Sequence, residues 1–187
     1  MDSNTENNGR LIDEARSNPA AFGRLYRRHY DAVFRYCVHR LFERQTAEDV
    51  TSAVFLKVVE NFRDFNGSES RFRNWLCTVA TSAVSDHLRK SARRVGLLTI
   101  ARVQVNDGKH TDDEITSKTA LLKQAMFALK PKYQTIITLR FFENLRLTEI
   151  AEVLSSSPGT VRSQLKRALA RLRKKMAAAE TADRQEV

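Results

Sequence analysis

The sequence predicts an all-α protein of two small helical domains joined by a flexible linker, and three observations carry that prediction. Apolar residues recur at steps of three and four along most of the chain, as the core-facing stripe of a helix requires. Between Val95 and about Lys118 the pattern stops, in a stretch centred on Asn106-Asp107-Gly108. Further on, Leu147 to Met176 reads as two helices joined by a tight turn, the second strongly basic. That is the helix-turn-helix arrangement, which lays its second helix in a DNA major groove. The expected organisation is a polar, disordered segment over 1–10, a first domain over 11–94, a linker over 95–118, a second domain over 119–177 and a flexible tail over 178–187.

In the first domain, Leu11 to Arg16 forms a short helix that stops before Asn18-Pro19, and the proline opens a longer one. Phe22, Leu25, Tyr26, Val33, Phe34, Cys37, Val38 and Leu41 keep helical spacing there and read as a core face. Thr46 is the expected N-cap of the next helix, with Glu48 and Asp49 where negative charge meets the positive end of the helix dipole. That helix buries Val50, Val54, Val58 and Phe62. Asn66-Gly67-Ser68 then forces a loop, with Phe62, Phe65, Phe72 and Trp75 on either side and Arg71 and Arg73 close by. Aromatic rings beside cations are what unstacked bases require, although Trp75 by itself reads as a core anchor. A helix from about Phe72 to Arg89 turns Leu76, Val79, Ala80, Ala83, Val84 and Leu88 inward and leads into the basic run Arg89, Lys90, Arg93, Arg94.

The second domain opens with a helix that is apolar at Leu121, Leu122, Ala125, Met126 and Leu129. Pro131 starts the next, whose inward residues are Ile136, Ile137, Leu139 and Phe141. Thr148 is the expected N-cap of the first helix of the helix-turn-helix. Ser157-Pro158 restarts the chain, because serine suits the cap and proline at the first helical position loses no needed donor. Val161, Leu165, Ala168, Leu169, Leu172 and Met176 face inward from that last helix, whose opposite face is cationic. No acidic residue lies between Glu152 and Glu180.

Thirty-two lysines and arginines against 22 acidic residues give a formal charge of +10, which favours a polyanionic partner. Nucleic acid is the natural one, since cations that neutralise phosphates release counterions. No long uncharged apolar run is present and the N-terminus does not read as a signal peptide, so a cytoplasmic protein without membrane insertion is expected. Cys37 and Cys77 are isolated and read as reduced thiols. His29, His39, His87 and His110 do not cluster with carboxylates, and no glycine-rich phosphate loop occurs. No catalytic residue, metal or cofactor is expected, and the chain does not read as an enzyme.

The segments AFGRLYRRHYDAVFRYC, AEDVTSAVFLKVVENFRDF, SRFRNWLCTVATSAVSDHLRK and LKPKYQTIITLRFFENLRLTEIAEVLSSSPGTVRSQLKRALARLR follow one another in that order. With them the chain resembles the extracytoplasmic-function sigma factors of bacterial RNA polymerase, a compact branch of the sigma-70 superfamily, from about Leu11 to Met176. The resemblance implies a monomeric protein that binds bacterial core RNA polymerase and promoter DNA, with an anti-sigma factor as a candidate further partner. It implies polymerase contacts at Glu48, Asp49, Ser52 and Phe55. For the minus-ten element it implies capture of a flipped base by Asn66, Gly67, Ser68, Arg71, Phe72 and Arg73, and phosphate contacts by Arg89, Lys90, Arg93 and Arg94. Thr160, Arg162, Ser163, Gln164, Lys166, Arg167 and Arg171 would read the minus-thirty-five element.

The competing reading is an autonomous helix-turn-helix transcription regulator that binds duplex DNA without polymerase. Four places depart from the family pattern. Ala53 stands where an acidic residue is usual and Thr81-Ser82 where Arg-Asn is common. Ser155 and Ser156 replace a glycine and an apolar residue in the turn, and Gln164 replaces a frequent arginine. A left-handed Ser155 would lack glycine's steric freedom.

Overall fold

The computed structural model describes residues 11–97 and 113–183, with side-chain surroundings for 11–93 and 119–178. Every regular element among the described residues is helical. They fall into two compact units, Met1–Ala101 and Arg102–Val187, each taken here by itself. The expectations for residues 1–10, for 98–112 of the linker and for 184–187 lie outside the described residues.

The first unit contains α1 (residues 11–15), α2 (Pro19–Leu41), α3 (Arg44–Asn61), a 3-10 turn (Phe62–Asp64) and α4 (Glu69–Leu97). Asn18 caps α2, its side-chain oxygen accepting from the Ala20 N–H at 2.9 Å, and Pro19 takes the first helical position. The helix ends at Phe42, which adopts a left-handed φ of 58° and donates its N–H to the Val38 carbonyl. Helices α2, α3 and α4 pack pairwise on one another. Leu25, Val33 and Cys37 meet Val50, Val54 and Val58 and Leu76, Ala80 and Val84 in the core, which Ile12 and Ala15 of α1 extend. Thr81, one of the departures, points into this core, where its hydroxyl is 2.8 Å from that of Tyr36. Burial pushes the Tyr36 phenol up to about 12, so the pair is neutral and structural.

Two boundaries in this unit differ from the sequence reading. Helix α3 starts at Arg44, two residues before the expected cap Thr46. The Glu43 carboxylate accepts from the N–H groups of both Gln45 and Thr46, at 2.8 and 2.5 Å, satisfying two orphan donors where a threonine hydroxyl would satisfy one. The Thr46 side chain and backbone, by these bonds, hold the Glu43 carboxyl below its usual range. Helix α4 starts at Glu69 and runs to Leu97, so the basic run from Arg89 is helical. No proline interrupts it, and Asp86 and Arg89 form an ion pair across one turn.

The second unit contains α5 (Asp113–Phe127), α6 (Pro131–Ile137), a π-helical turn (Thr138–Phe142), α7 (Leu147–Val153) and α8 (Pro158–Asp183). Helix α5 takes in 113–118 of the expected linker, since neither glycine nor proline stands between Gly108 and Pro131. Helix α8 runs past the expected tail boundary through an alanine-rich segment of high helix propensity. The buried Gln134 amide donates to the carbonyls of Met126, Phe127 and Leu129 at 3.0, 3.2 and 3.1 Å, collecting acceptors that the end of α5 leaves open. Phe141, expected inward, is 52% exposed. The Glu143 N–H bonds five residues back, to Thr138, and this wider turn carries Phe141 out while Leu145 takes the buried place.

Candidate nucleic-acid interface

The loop between the 3-10 turn and α4 stands on a floor of rings. Phe62 is buried against Phe22 and Phe72, with centroids 5.2 and 5.7 Å apart, and Phe65 stacks on Trp75 at 5.1 Å. Phe72 is 1% exposed and touches His29, Phe62, Phe65 and Trp75, so it supports the loop from beneath and does not face a base. Phe65 and Trp75 are half-buried and present the stack. Gly67 closes the loop, because a Cβ there would lie 3.0 Å from Arg71 Cδ and 3.3 Å from Phe65 Cζ. Asn66, Ser68, Arg71 and Arg73 are exposed above that floor.

The start of α4 is fastened to α2. Glu69 pairs with Arg28 at 3.1 Å, with His29 Nε2 at 3.9 Å from the same carboxylate oxygen. Burial first, then the charges of Arg28 and Arg73, lowers the His29 pKa to about 4. The ring is therefore neutral at neutral pH and acts as an edge packed against Phe72, 5.2 Å between centroids. Further along α4, Arg89, Lys90 and Arg93 are exposed, and Arg94 lies outside the described side chains. Asp86 already neutralises part of this run, since it pairs with Arg89 and lies 4.0 Å from Lys57 Nζ.

On α3, Glu48, Asp49 and Ser52 are exposed. Phe55 is not, at 5%: Tyr26 covers it with centroids 4.6 Å apart and Tyr30 at 6.1 Å. The exposed apolar residues of this face are Leu56 and Val59, at 62% and 52%, one and two turns beyond Ser52. The sequence reading missed both. The i+4 and i+7 spacing from Ser52 was the signal that would have found them, but in the run Phe55-Leu56-Lys57-Val58-Val59 apolar residues occur on both faces.

In the second unit, α7 starts at Leu147, one residue before the expected cap Thr148; the carboxylate of Glu149 accepts from the Arg146 N–H at 2.7 Å and takes the capping role. Ser155 adopts a φ of 47°, the left-handed conformation that glycine favours, and lets the Ser156 N–H reach the Ala151 carbonyl at 2.8 Å. Ser157 caps α8 as expected, accepting from the Thr160 N–H at 3.1 Å, and its hydroxyl also lies 2.9 Å from that of Thr160. Ser163 donates to the Thr160 carbonyl. The small hydroxyls thus shape the helix start, while Arg162, Lys166 and Arg167 stand exposed and Gln164 is half-buried. Arg171 lies over the Tyr133 ring at 5.1 Å, about 20 Å along the helix from Pro158. A DNA-facing N-terminal half and a half that packs on α6 are thereby distinguished on one helix.

Residues 25–94 match the family model for Sigma-70 region 2, and residues 119–172 that for Sigma-70, region 4. The ECF RNA polymerase sigma factor BldN of Streptomyces coelicolor is 34% identical over 164 residues, 85% of this chain and 62% of BldN. The RNA polymerase sigma factor YlaC of Bacillus subtilis is 30% identical over 160 residues, 81% of this chain and 90% of YlaC. The chain therefore spans somewhat less than two thirds of BldN and nearly all of YlaC. The fold is that of the sigma factor RpoE of Bartonella quintana, solved with the anti-sigma factor NepR, at a TM-score of 0.68 and 19% identity over 83% of this chain and 96% of RpoE. Two helical units of these two regions, one with an aromatic-floored loop and one with a helix-turn-helix, define a sigma factor. This chain belongs to the sigma-70 family, in its extracytoplasmic-function branch. Among the described residues no helix is long and apolar enough to cross a membrane.

Proposed function

We propose that this chain binds bacterial core RNA polymerase in the cytoplasm and directs it to promoters, without catalysis of its own. Core polymerase docks on the outer face of α3 through Glu48, Asp49 and Ser52, with Leu56 and Val59 supplying the apolar centre that a stable interface needs. The loop from Asn66 to Arg71 holds a base that has left the minus-ten stack, offsetting an unstacking cost of a few kcal/mol. Arg73, Lys90, Arg93 and the part-neutralised Arg89 carry neighbouring phosphates. Arg162, Gln164, Lys166 and Arg167 read the minus-thirty-five element, with Thr160 and Ser163 shaping the helix start. An anti-sigma factor that covers Leu56 and Val59 would block polymerase.

The observation that carries this reading is the loop: a glycine-closed turn with exposed amide and guanidinium groups over a stacked Phe65–Trp75 pair, in a chain that also has a helix-turn-helix. Transcription in vitro with core polymerase on a promoter library tests it. New start sites sharing one upstream motif are expected, and Leu56→Asp should abolish them while leaving the protein folded. Tight duplex binding without polymerase, and no new start, would replace this reading with the autonomous regulator.

A further inference from the structure

Fifty residues apart in sequence, Arg16 and Asn66 meet: the Arg16 guanidinium donates to the Asn66 side-chain oxygen at 3.2 Å. Both ends of the bond are held. Arg16 follows α1, whose Ile12 and Ala15 are 0% and 6% exposed, and Glu14 ties this segment to α2 through Arg24 at 2.7 Å. Asp13 lies 3.6 Å from the same Arg16 nitrogen and Asn18 caps α2 just beyond, so the guanidinium has little room to swing. On the other side, Asn66 sits between Phe65, stacked on Trp75, and Gly67, packed against Arg71.

The bond fixes which end of the Asn66 amide faces outward. With its oxygen occupied by Arg16, the side chain offers its NH2 group, and the remaining Arg16 N–H groups lie beside it. That corner of the loop contains donors only. An asparagine free to use both ends pairs bidentately with adenine, taking the N6 amino group on its oxygen. An all-donor corner instead suits a base with two adjacent acceptors. Cytosine has O2 beside N3 and guanine has O6 beside N7, whereas adenine and thymine set a donor next to each acceptor on those edges.

We propose that Arg16 is a positioning residue for minus-ten recognition: by holding the Asn66 oxygen it makes the loop select cytosine or guanine over adenine or thymine at the extruded position. This rests on the base-capturing role of the loop.

The test uses holoenzyme assembled from core polymerase and the full chain, on promoters carrying each base in turn at every minus-ten position, with polymerase-resistant open complexes as the readout. The wild-type protein is expected to prefer cytosine or guanine at one position. Arg16→Ala should reduce that preference by about fivefold, the worth of one hydrogen bond, leaving polymerase affinity and minus-thirty-five readout unchanged. Arg16→Lys, which restores a donor, should recover part of it. Asn66→Asp, which removes the NH2 group, should abolish it. A wild-type preference that survives Arg16→Ala, or a loss equal on all four bases, overturns the role of Arg16 alone. No wild-type preference at any position overturns the loop reading, and this inference with it.

Discussion

The two DNA-facing regions of the molecule present their side chains by opposite means. In the first unit the exposed residues are few and the apparatus beneath them is large: Phe62 and Phe72 are buried, Phe65 and Trp75 are stacked, and Glu69 is tied to Arg28. In the second unit the exposed cations are many and rest on a regular helix, whose buried contacts are small residues such as Val161 and Ala168. An irregular loop has no repeating backbone hydrogen bonds to hold its shape, so packing must supply them with a frame. A helix holds its own geometry and needs only one apolar stripe. Substitutions that damage packing should therefore silence the loop, whereas substitutions that remove charge should silence α8.

The sharpest break in this comparison is Phe72→Ala. Emptying the space of a ring at 1% exposure should destabilise the first unit by about 4 kcal/mol and abolish promoter melting. The second unit should retain minus-thirty-five binding, which thermal denaturation and DNA binding of that variant would check together. A somewhat smaller effect is expected from acid. His29 has its pKa lowered to about 4 in the folded protein, against about 6.5 unfolded, so the unfolded chain binds the proton more tightly. The stability this contributes is complete above about pH 6.5 and is lost as the pH falls toward 4, about 3 kcal/mol in all. Urea titrations at pH 7 and pH 4.5 should show this loss in wild type and a much smaller one in His29→Gln.

The helices were legible in the sequence because each buries a stripe at a fixed period, and the helix-turn-helix was legible because Ser157-Pro158 is a local signal. The positions of Phe55 and Phe72 were not. An aromatic residue beside charged ones has the same pattern whether its ring covers a core or faces a ligand, and only the rings from α2, Tyr26 over Phe55 and His29 against Phe72, decide between the two. Phe141 was misplaced for a different reason: a π-helical turn shifts the period by one residue and has no sequence signature of its own. The hydrogen bond from Arg16 to Asn66 joins two polar residues with no pattern between them.

For α8 the comparison predicts that charge, and not packing, sets the effect. Arg167 is exposed on the N-terminal half of the helix, and Arg167→Ala should weaken minus-thirty-five discrimination by about 2 kcal/mol without shifting the melting temperature. If the residue meets a phosphate instead of a base, affinity should fall uniformly across promoter sequences, and the log-log salt slope should drop by about one. Equal loss of polymerase binding would show that the two activities are not divided between the units as proposed.

The smallest effect concerns the turn itself. Ser155 holds a φ of 47° at the end of α7, where a side chain's Cβ is crowded by the backbone and glycine's absence of one is an advantage. Ser155→Gly should stabilise the second unit by about 1 kcal/mol, part of the relief being cancelled by the greater freedom of glycine in the unfolded chain. Ser155→Ala keeps the strain while removing the hydroxyl, and should give no such gain; equal stabilisation by both variants would locate the cost in the hydroxyl and not in the backbone. Because the turn only delivers the chain to Pro158, neither variant should change which promoter is read. A change in promoter preference with Ser155→Gly would mean that the angle between α7 and α8 is tuned by this residue, and that the regular helix, like the loop, depends on a frame.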